Sequence, residues 1–483
     1  MVTRRTLLKS SLAIGAATVF SGTIPNISLA QQTVRVRRSL HGMALDDPDL
    51  VTFRDFVGIM KKNDQGQAVS WLGFSLQHGK VGGDYKYCPH GDWYFLPWHR
   101  EYVNMYENAA IEFTGNKSFA MPYWDWTIDR TLPEAFADPK YKGLPNPLYV
   151  PNRKKINLPD NLVGPKIMAE IYSETLYEVF GTSRNRNQND LNPQWIIRGG
   201  GIQGTLEATP HNNVHNLIGA YMPTAGSPRD PIFMMHHCNI DRIWAYWNAL
   251  GRKNSDAALW LNMPFKDNFI AANGSLYSKV VKDLQDTNKL GYTYSGMPGP
   301  DNLRVDSDRH RKLLSLFGLG AVDHEKMQHI QVKNTKAARA SKFLNTPFSL
   351  KPSTLKSVSG PALLESSAGR RLPEVFAVIK DIHVGKGVSG FRVFINSKDV
   401  TLNTSSSDPH FVATIAFLST AKSSHKMAPS AIVDLTDTIR ELSELKEIKD
   451  DKISVQLIPV PKPGMILKST GSVVPGSIEI AVI

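Results

Sequence analysis

A chain of 483 residues with 41% apolar and 21% charged side chains exceeds what one hydrophobic core serves, and its balance is that of an ordinary globular protein, not a disordered or fibrous one. The formal charge of +12 favours small anions, but the Lys and Arg residues are scattered, and no clustered basic and aromatic motif marks a nucleic-acid reader. After the N-terminus no run reaches the roughly eighteen apolar residues that span a bilayer, which argues against a stable membrane anchor.

Residues 1–30 read as a removable signal. Paired Arg4 and Arg5 precede a short Ala/Gly-rich apolar run, broken by Gly15, Thr18, Ser21 and Gly22, and Ser28-Leu29-Ala30 forms a small-x-small cleavage site before Gln31. The segment resembles a twin-arginine export signal, which implies that this machinery delivers an already folded protein to the periplasm or the exterior, its cofactor loaded beforehand. Cys88 and Cys238 are the only cysteines, too few for a fold that relies on disulfides, and each neighbours a histidine able to ligate metal. They are not expected to pair.

Residues 31–340 are expected to form a helical domain. The stretch from Asp47 begins acidic and ends in Lys61 and Lys62, as a helix dipole prefers. From Pro97, residues Tyr102, Met105, Tyr106, Ala109 and Phe113 recur at helical intervals. Residues 128–205 are rich in Pro, Asn and Gly and predict a long, loop-rich insertion with one helix over 165–180. Two further helices are predicted, one capped by Thr209 with Pro210 in its first turn, the other from Asp230 to a stop at Gly251.

The pattern changes near residue 340. Residues 374–382, 390–397, 410–418, 452–460 and 477–483 are short, β-branched and often alternating, which predicts a C-terminal β-rich, sandwich-like domain over 341–483, reached through a Lys/Ser-rich connector near 331–360. No internal repeat is visible.

Seven of the 14 histidines fall in three windows: His78, then His90 and His99, then His211, His215, His236 and His237. His310, His324, His329, His383, His410 and His425 lie outside any dense pattern and read as surface or ordinary hydrogen-bonded residues. His211 and His215, four apart on a predicted helix, share a face, whereas only one of the adjacent His236 and His237 can point into a common site. Neutral imidazoles without carboxylate or thiolate suit copper, zinc, iron or nickel and disfavour magnesium and calcium. A single structural zinc leaves histidines over, while two metals with three imidazoles each use six.

The segments FSLQHGK, CPHGDWYFLPWHREYV, PYWDW, LEATPHNNVHNLIG and SPRDPIFMMHHCNIDRIW resemble, in order and spacing, the type-3 copper proteins, specifically bacterial tyrosinases with a twin-arginine signal and more distantly plant polyphenol oxidases. The resemblance implies a four-helix-bundle dicopper core with long loops. It implies copper A on His78, His90 and His99, and copper B on His211, His215 and His237, with His236 as a neighbour lining the site. Cys88 stands where some members form a thioether to the histidine two residues on, here His90; the alternative is a buried thiol acting as a small hydrophobe. Phe233, one turn before His237, matches an aromatic packed on a ligand ring. Asp241, one turn after it, either orients an imidazole or pairs with an arginine, and the ion pair is the simpler role.

The implied reaction uses O₂ as co-substrate to hydroxylate monophenols and to oxidise the resulting ortho-diphenols to ortho-quinones, with small phenols as partners. Glu207 and Asn212 match the family pair proposed to hold a water that takes the phenolic proton. Thr224 falls near a position that some catechol oxidases block with phenylalanine, so a small residue there implies open access to copper A, and Asn216 is a rim contact for substrate. The C-terminal domain is either a lid over the centre or a stabilising element. Rival classes are a catechol oxidase without monophenolase activity, a hemocyanin-like oxygen binder, and a zinc hydrolase, the last lacking the carboxylate of an HExxH motif. The physiological phenol and the oligomeric state are not encoded in any motif.

Overall fold

Asp47 accepts the backbone N–H of Asp49 and Pro48 fills the first turn, so helix α1 runs from Pro48 to Lys62 with two lysines at its negative end. It buries Leu50, Phe53, Phe56, Val57 and Met60. The Ser70 hydroxyl accepts the Gly73 N–H to start the short helix α2, Trp71–Ser75. Helix α3, Phe95–Thr114, stops where Gly115 turns left-handed at φ 74°. Helices α4, Asn212–Ile218, and α5, Ile232–Ala249, complete the set that surrounds the histidines. Trp71 and Phe74 each meet Tyr106 of α3 edge-on, at 5.4 and 5.3 Å between ring centroids, and lock α2 to α3.

This computed structural model describes residues 34–303, 305–319, 328–333, 338–339, 343–359, 373–418, 428–462, 464–466 and 472–483. The expected signal over 1–30, His324, His425 and the side chain of His329 lie outside the described residues. No helix among the described residues is long and apolar enough to cross a membrane.

Helices α3 and α5 are joined by charge as well as by packing. Arg100 Nε on α3 donates to Asp241 on α5 at 2.5 Å, and Arg37, from the strand Arg35–Arg37, reaches both Glu107 (2.7 Å) and Asp241 (3.3 Å). The hydroxyls of Tyr292 and Tyr294 add hydrogen bonds to Asp241 at 2.7 and 2.6 Å. Burial works against the Asp241 carboxylate, but Arg100 and Arg37 outweigh it and hold its carboxyl below the ordinary value.

Two predicted helices differ from expectation. The single helix over 165–180 is two, Pro165–Ser173 and Tyr177–Phe180, because the Glu174 carboxylate captures the N–H groups of Thr175 and Leu176, both at 2.7 Å, and breaks the ladder there. The helix expected to begin at Thr209 begins before it: residues 207–211 form a π-helical turn that runs into α4. Pro210 sits inside this turn, where its missing N–H and its ring favour the wider i→i−5 bond, from Asn212 N–H to the Glu207 carbonyl. Glu207 therefore lies on the helix and not ahead of it.

The C-terminal region carries two antiparallel groups of strands. One has the order Leu344–Ser349, Lys452–Pro461, Val388–Ile395, Phe411–Ala416; the other contains Ser430–Asp434, Val375–Lys380, Ser477–Val482 and Gln328–Lys333 in that order. Alternation sets the faces: Val375, Ala377 and Ile379 join Phe391, Val393, Val455 and Leu457 in one core, while Phe376 and Val378 face Leu313, Leu316 and Phe317. Two short helices, Pro352–Val358 and Thr436–Glu444, accompany the strands. The stretch expected as a connector thus holds a strand and a helix, Leu344–Ser349 and Pro352–Val358. Ile202–Gln203 adds in parallel to Ser430–Ala431, so the second sheet takes its edge strand from the helical half.

Candidate metal centre

Two buried groups of donors form here: His78, Cys88 and His90 from the segment between α2 and α3 with His99 of α3, and His211 of the π-helical turn with His215 of α4 and His236 and His237 of α5, the ligand atoms of each group within 4.8 Å of one another. Backbone carbonyls fix the rings. His78 Nδ1 bonds Ala225 O at 2.6 Å, His99 Nδ1 bonds Phe95 O at 2.8 Å, and His215 Nδ1 bonds Met222 O at 2.8 Å. Each carbonyl must receive an N–H, which leaves the Nε2 lone pair for a metal. His90 Nδ1 faces the Glu207 carboxylate at 3.2 Å and His211 Nδ1 the Asn212 side-chain oxygen at 2.9 Å, to the same effect.

Burial, joined by repulsion among the imidazoles, pushes the ring pKa of His78 down to about 3 and lowers those of His99, His211 and His237 well below the ordinary value. Burial also pushes His215 down to about 4. Neutral imidazoles are the form that binds metal. The two groups abut: the His99 and His237 rings stack at 4.3 Å, and His90 and His211 lie 5.5 Å apart.

His237 and His236 separate by tautomer. His237 Nε2 stands 3.0 Å from His215 Nε2 and 3.4 Å from His211 Nε2, converging on one point. His236 Nδ1 accepts the indole N–H of Trp126 at 3.2 Å, which puts the His236 proton on Nε2 and removes the lone pair a metal needs. Phe233 stacks on the His237 ring at 4.0 Å and meets His78 edge-on at 5.2 Å. Asp241 is spent on arginines and tyrosines, away from the imidazole nitrogens.

Cys88 and Cys238 are both buried free thiols. Cys88 Sγ lies 3.3 Å from His99 Nε2, and burial, with the nearby Glu207 charge, pushes its thiol pKa up.

Glu207 is held on three sides. Oε1 accepts the Gly91 N–H at 2.8 Å and faces His90 Nδ1, and Oε2 accepts the Thr182 hydroxyl at 2.5 Å. Burial pushes the carboxyl up to about 7 against these hydrogen bonds. Asn212 donates to the Ala416 carbonyl at 2.8 Å and Asn216 to the Phe417 carbonyl at 3.2 Å, so the end of the strand Phe411–Ala416 lies against α4. Thr224 turns its hydroxyl to the Tyr221 carbonyl within its own loop. His310 bonds the Thr175 hydroxyl, His410 lies between Asp408 and Glu447, and His383 is exposed, all apart from the centre.

Sequence patterns gave no sign of Thr182, of the carbonyls of Phe95, Met222 and Ala225, or of Trp126 as the partner of His236. Each acts through long-range geometry or main chain, which no motif records.

Residues 52–250 match the family model for the common central domain of tyrosinase, and residues 346–475 match that for the chloroplastic polyphenol oxidase C-terminal domain. A tyrosinase of Hahella sp. (strain CCB-MM4) is 28% identical over 413 residues, covering 79% of this chain and 81% of that protein. The chloroplastic polyphenol oxidase A1 of Vicia faba is 26% identical over 477 residues, covering 89% and 75%. Among solved structures, latent apple tyrosinase aligns with a TM-score of 0.63 at 23% identity, covering 93% of this chain and 98% of its own, and establishes the likeness of fold. The donor set suits copper: six imidazoles poised at Nε2, with soft sulfur beside one group and no carboxylate in either.

Proposed function

Since the chain belongs to the type-3 copper family of tyrosinases and polyphenol oxidases, whose centre takes two copper ions and O₂, we propose that it is a tyrosinase, hydroxylating monophenols to ortho-diphenols and oxidising these to ortho-quinones. Copper A is assigned to His78, His90 and His99, and copper B to His211, His215 and His237. Bound copper supplies the redox chemistry with O₂. The protein supplies fixed tautomers, a dry apolar wall and a place for the phenolic proton.

The observation that carries this assignment is the placement of Glu207 and Asn212, one against an imidazole of each group: Glu207 at His90 and Asn212 at His211. A carboxylate and an amide, each against the Nδ1 of one imidazole from each group, are the side chains assigned to hold a water that takes the proton of an incoming phenol. Phe233 keeps the His237 ring in place, His236 lines the wall, and Asn216 and Thr224 border the substrate approach.

A catechol oxidase is the second reading, favoured by one feature. Both oxygens of Glu207 are already engaged by His90, Gly91 and Thr182, which limits its freedom to accept a further proton. Oxygen uptake by copper-loaded protein with a monophenol and with its catechol, for wild type and Glu207→Gln, separates the two. Turnover of both, with the variant losing mainly the monophenol reaction, supports the tyrosinase; catechol turnover alone makes it a catechol oxidase.

The division into 31–340 and 341–483 is proposed to be functional, shifted to place the strand Gln328–Lys333 with the C-terminal sheet, and the C-terminal part acts as a lid whose carbonyls at Ala416 and Phe417 hold Asn212 and Asn216. Export through the twin-arginine pathway is proposed from the resemblance of residues 1–30 to such a signal, and a Cys88–His90 thioether from the family resemblance of the CPH segment, the alternative being the free thiol that lies 3.3 Å from His99 Nε2. Mass spectrometry of the mature protein tests both, through its first residue and through the loss of two hydrogens from the Cys88 peptide.

A further inference from the structure

Away from the imidazoles, a cavity of about 430 Å³ is walled by Lys61, Trp71, Tyr149, Pro151, Tyr221 and Arg229. Its volume suits one substituted ring. Two of its walls are cationic. Lys61 gives one N–H to the Pro147 carbonyl at 2.6 Å and keeps two, and the Arg229 guanidinium lies 4.6 Å over the Tyr221 ring without an ion pair to any described residue. The adjacent carboxylate, Asp230, is consumed by Arg153, whose Nε and Nη2 reach its two oxygens at 2.8 and 2.5 Å. Burial pushes the Lys61 ammonium down to about 8; Asp230 opposes the shift, and Arg153 and Arg229 add to it.

Two cations and three aromatic side chains line a recess whose lining holds no carboxylate, a setting that suits a small planar anion. The geometry points to a binding site for a small aromatic monocarboxylate, a benzoate-type anion whose ring lies among Trp71, Tyr149 and Tyr221 and whose carboxylate bridges Arg229 and Lys61. The loop that carries Tyr221 and Arg229 also carries the carbonyls of Met222 and Ala225, which orient His215 and His78. An occupant therefore braces the segment that aims one imidazole of each group, and the site is modulatory. It does not depend on whether the centre hydroxylates monophenols.

The test titrates benzoate, benzamide and phosphate into copper-loaded protein and, in parallel, copper-free protein, read by calorimetry and tryptophan fluorescence. Benzoate is expected to bind both forms, with uncharged benzamide and ringless phosphate weaker by about tenfold or more. Arg229→Gln and Lys61→Met are each expected to weaken benzoate by about tenfold with copper content unchanged. Benzoate binding that vanishes with the copper belongs to the copper centre and overturns the proposal. Binding that survives both substitutions, or phosphate binding as tight as benzoate binding, overturns it as well.

Discussion

Asn212 donates its side-chain amide to the Ala416 carbonyl at 2.8 Å while its side-chain oxygen takes the Nδ1–H of His211 at 2.9 Å. One residue thus joins an imidazole of the centre to the end of the C-terminal strand Phe411–Ala416. Asn212→Asp keeps the acceptor for His211 but sets a carboxylate against a carbonyl oxygen. The lost bond and the new repulsion are worth about 1–3 kcal/mol, roughly five- to hundredfold in the uncovered population. Catechol oxidation by the intact chain is expected to rise several-fold at unchanged copper content. An unaltered rate, measured before and after limited proteolysis, would remove the strand as the barrier.

Thr182 holds Glu207 Oε2 at 2.5 Å. Thr182→Val takes that donor away from a buried carboxylate at a cost of about 1–3 kcal/mol and lets Glu207 turn from its place. The ratio of monophenol to catechol turnover is expected to drop by about tenfold or more, with KM for catechol unchanged. A parallel fall in both rates would mark a merely structural hydroxyl.

His237 and His236 are adjacent and both buried, yet His237 brings its Nε2 to 3.4 and 3.0 Å from those of His211 and His215 while His236 spends its Nδ1 lone pair on Trp126. His237→Ala is expected to lose copper from one half of the centre, and His236→Ala to retain the wild-type metal content in elemental analysis. Equal losses would contradict the tautomer that Trp126 imposes on His236.

Helical periodicity made legible only the shared face of His211 and His215, the grouping of the other histidines rested on the resemblance of the motifs, and the strands over 374–382, 390–397, 410–418, 452–460 and 477–483 were legible from alternation. What stayed hidden depends on distant partners. Leu344–Ser349 reads as linker until Lys452–Pro461 pairs with it, and Glu174 breaks a helix by a local carboxylate bond that propensity does not weigh. The π-helical turn at Pro210 moved Glu207 onto the helix, where the spacing alone had placed it upstream of the first turn.

Asp241 neutralises two buried guanidiniums, Arg100 at 2.5 Å and Arg37 at 3.3 Å. Asp241→Asn leaves Arg100 without a carboxylate and Arg37 with Glu107 alone, and a loss of about 3–5 kcal/mol is expected, seen as a lower thermal midpoint. The sign with pH follows from the lowered carboxyl. Its contribution is present above the ordinary carboxylate range, near about 4, and is lost as pH falls through the lower folded value. Wild type should therefore converge toward the variant in acid; a gap that stays constant down to acid unfolding would show that charge is not what Asp241 provides.

Lys61 gives the carboxylate pocket its own pH signature. Burial holds its ammonium near about 8, with Arg153 and Arg229 pressing in the same direction and Asp230 opposing them. A bound carboxylate favours the charged amine, so above that value binding must take up a proton, and benzoate affinity should decline as pH rises past about 8. Arg229 stays charged throughout, which makes the decline partial. In Lys61→Met the affinity should be lower but flat across the same range in calorimetric titrations. A wild-type profile as flat as the variant's would mean that the anion meets Arg229 alone, with Lys61 left to its bond with Pro147.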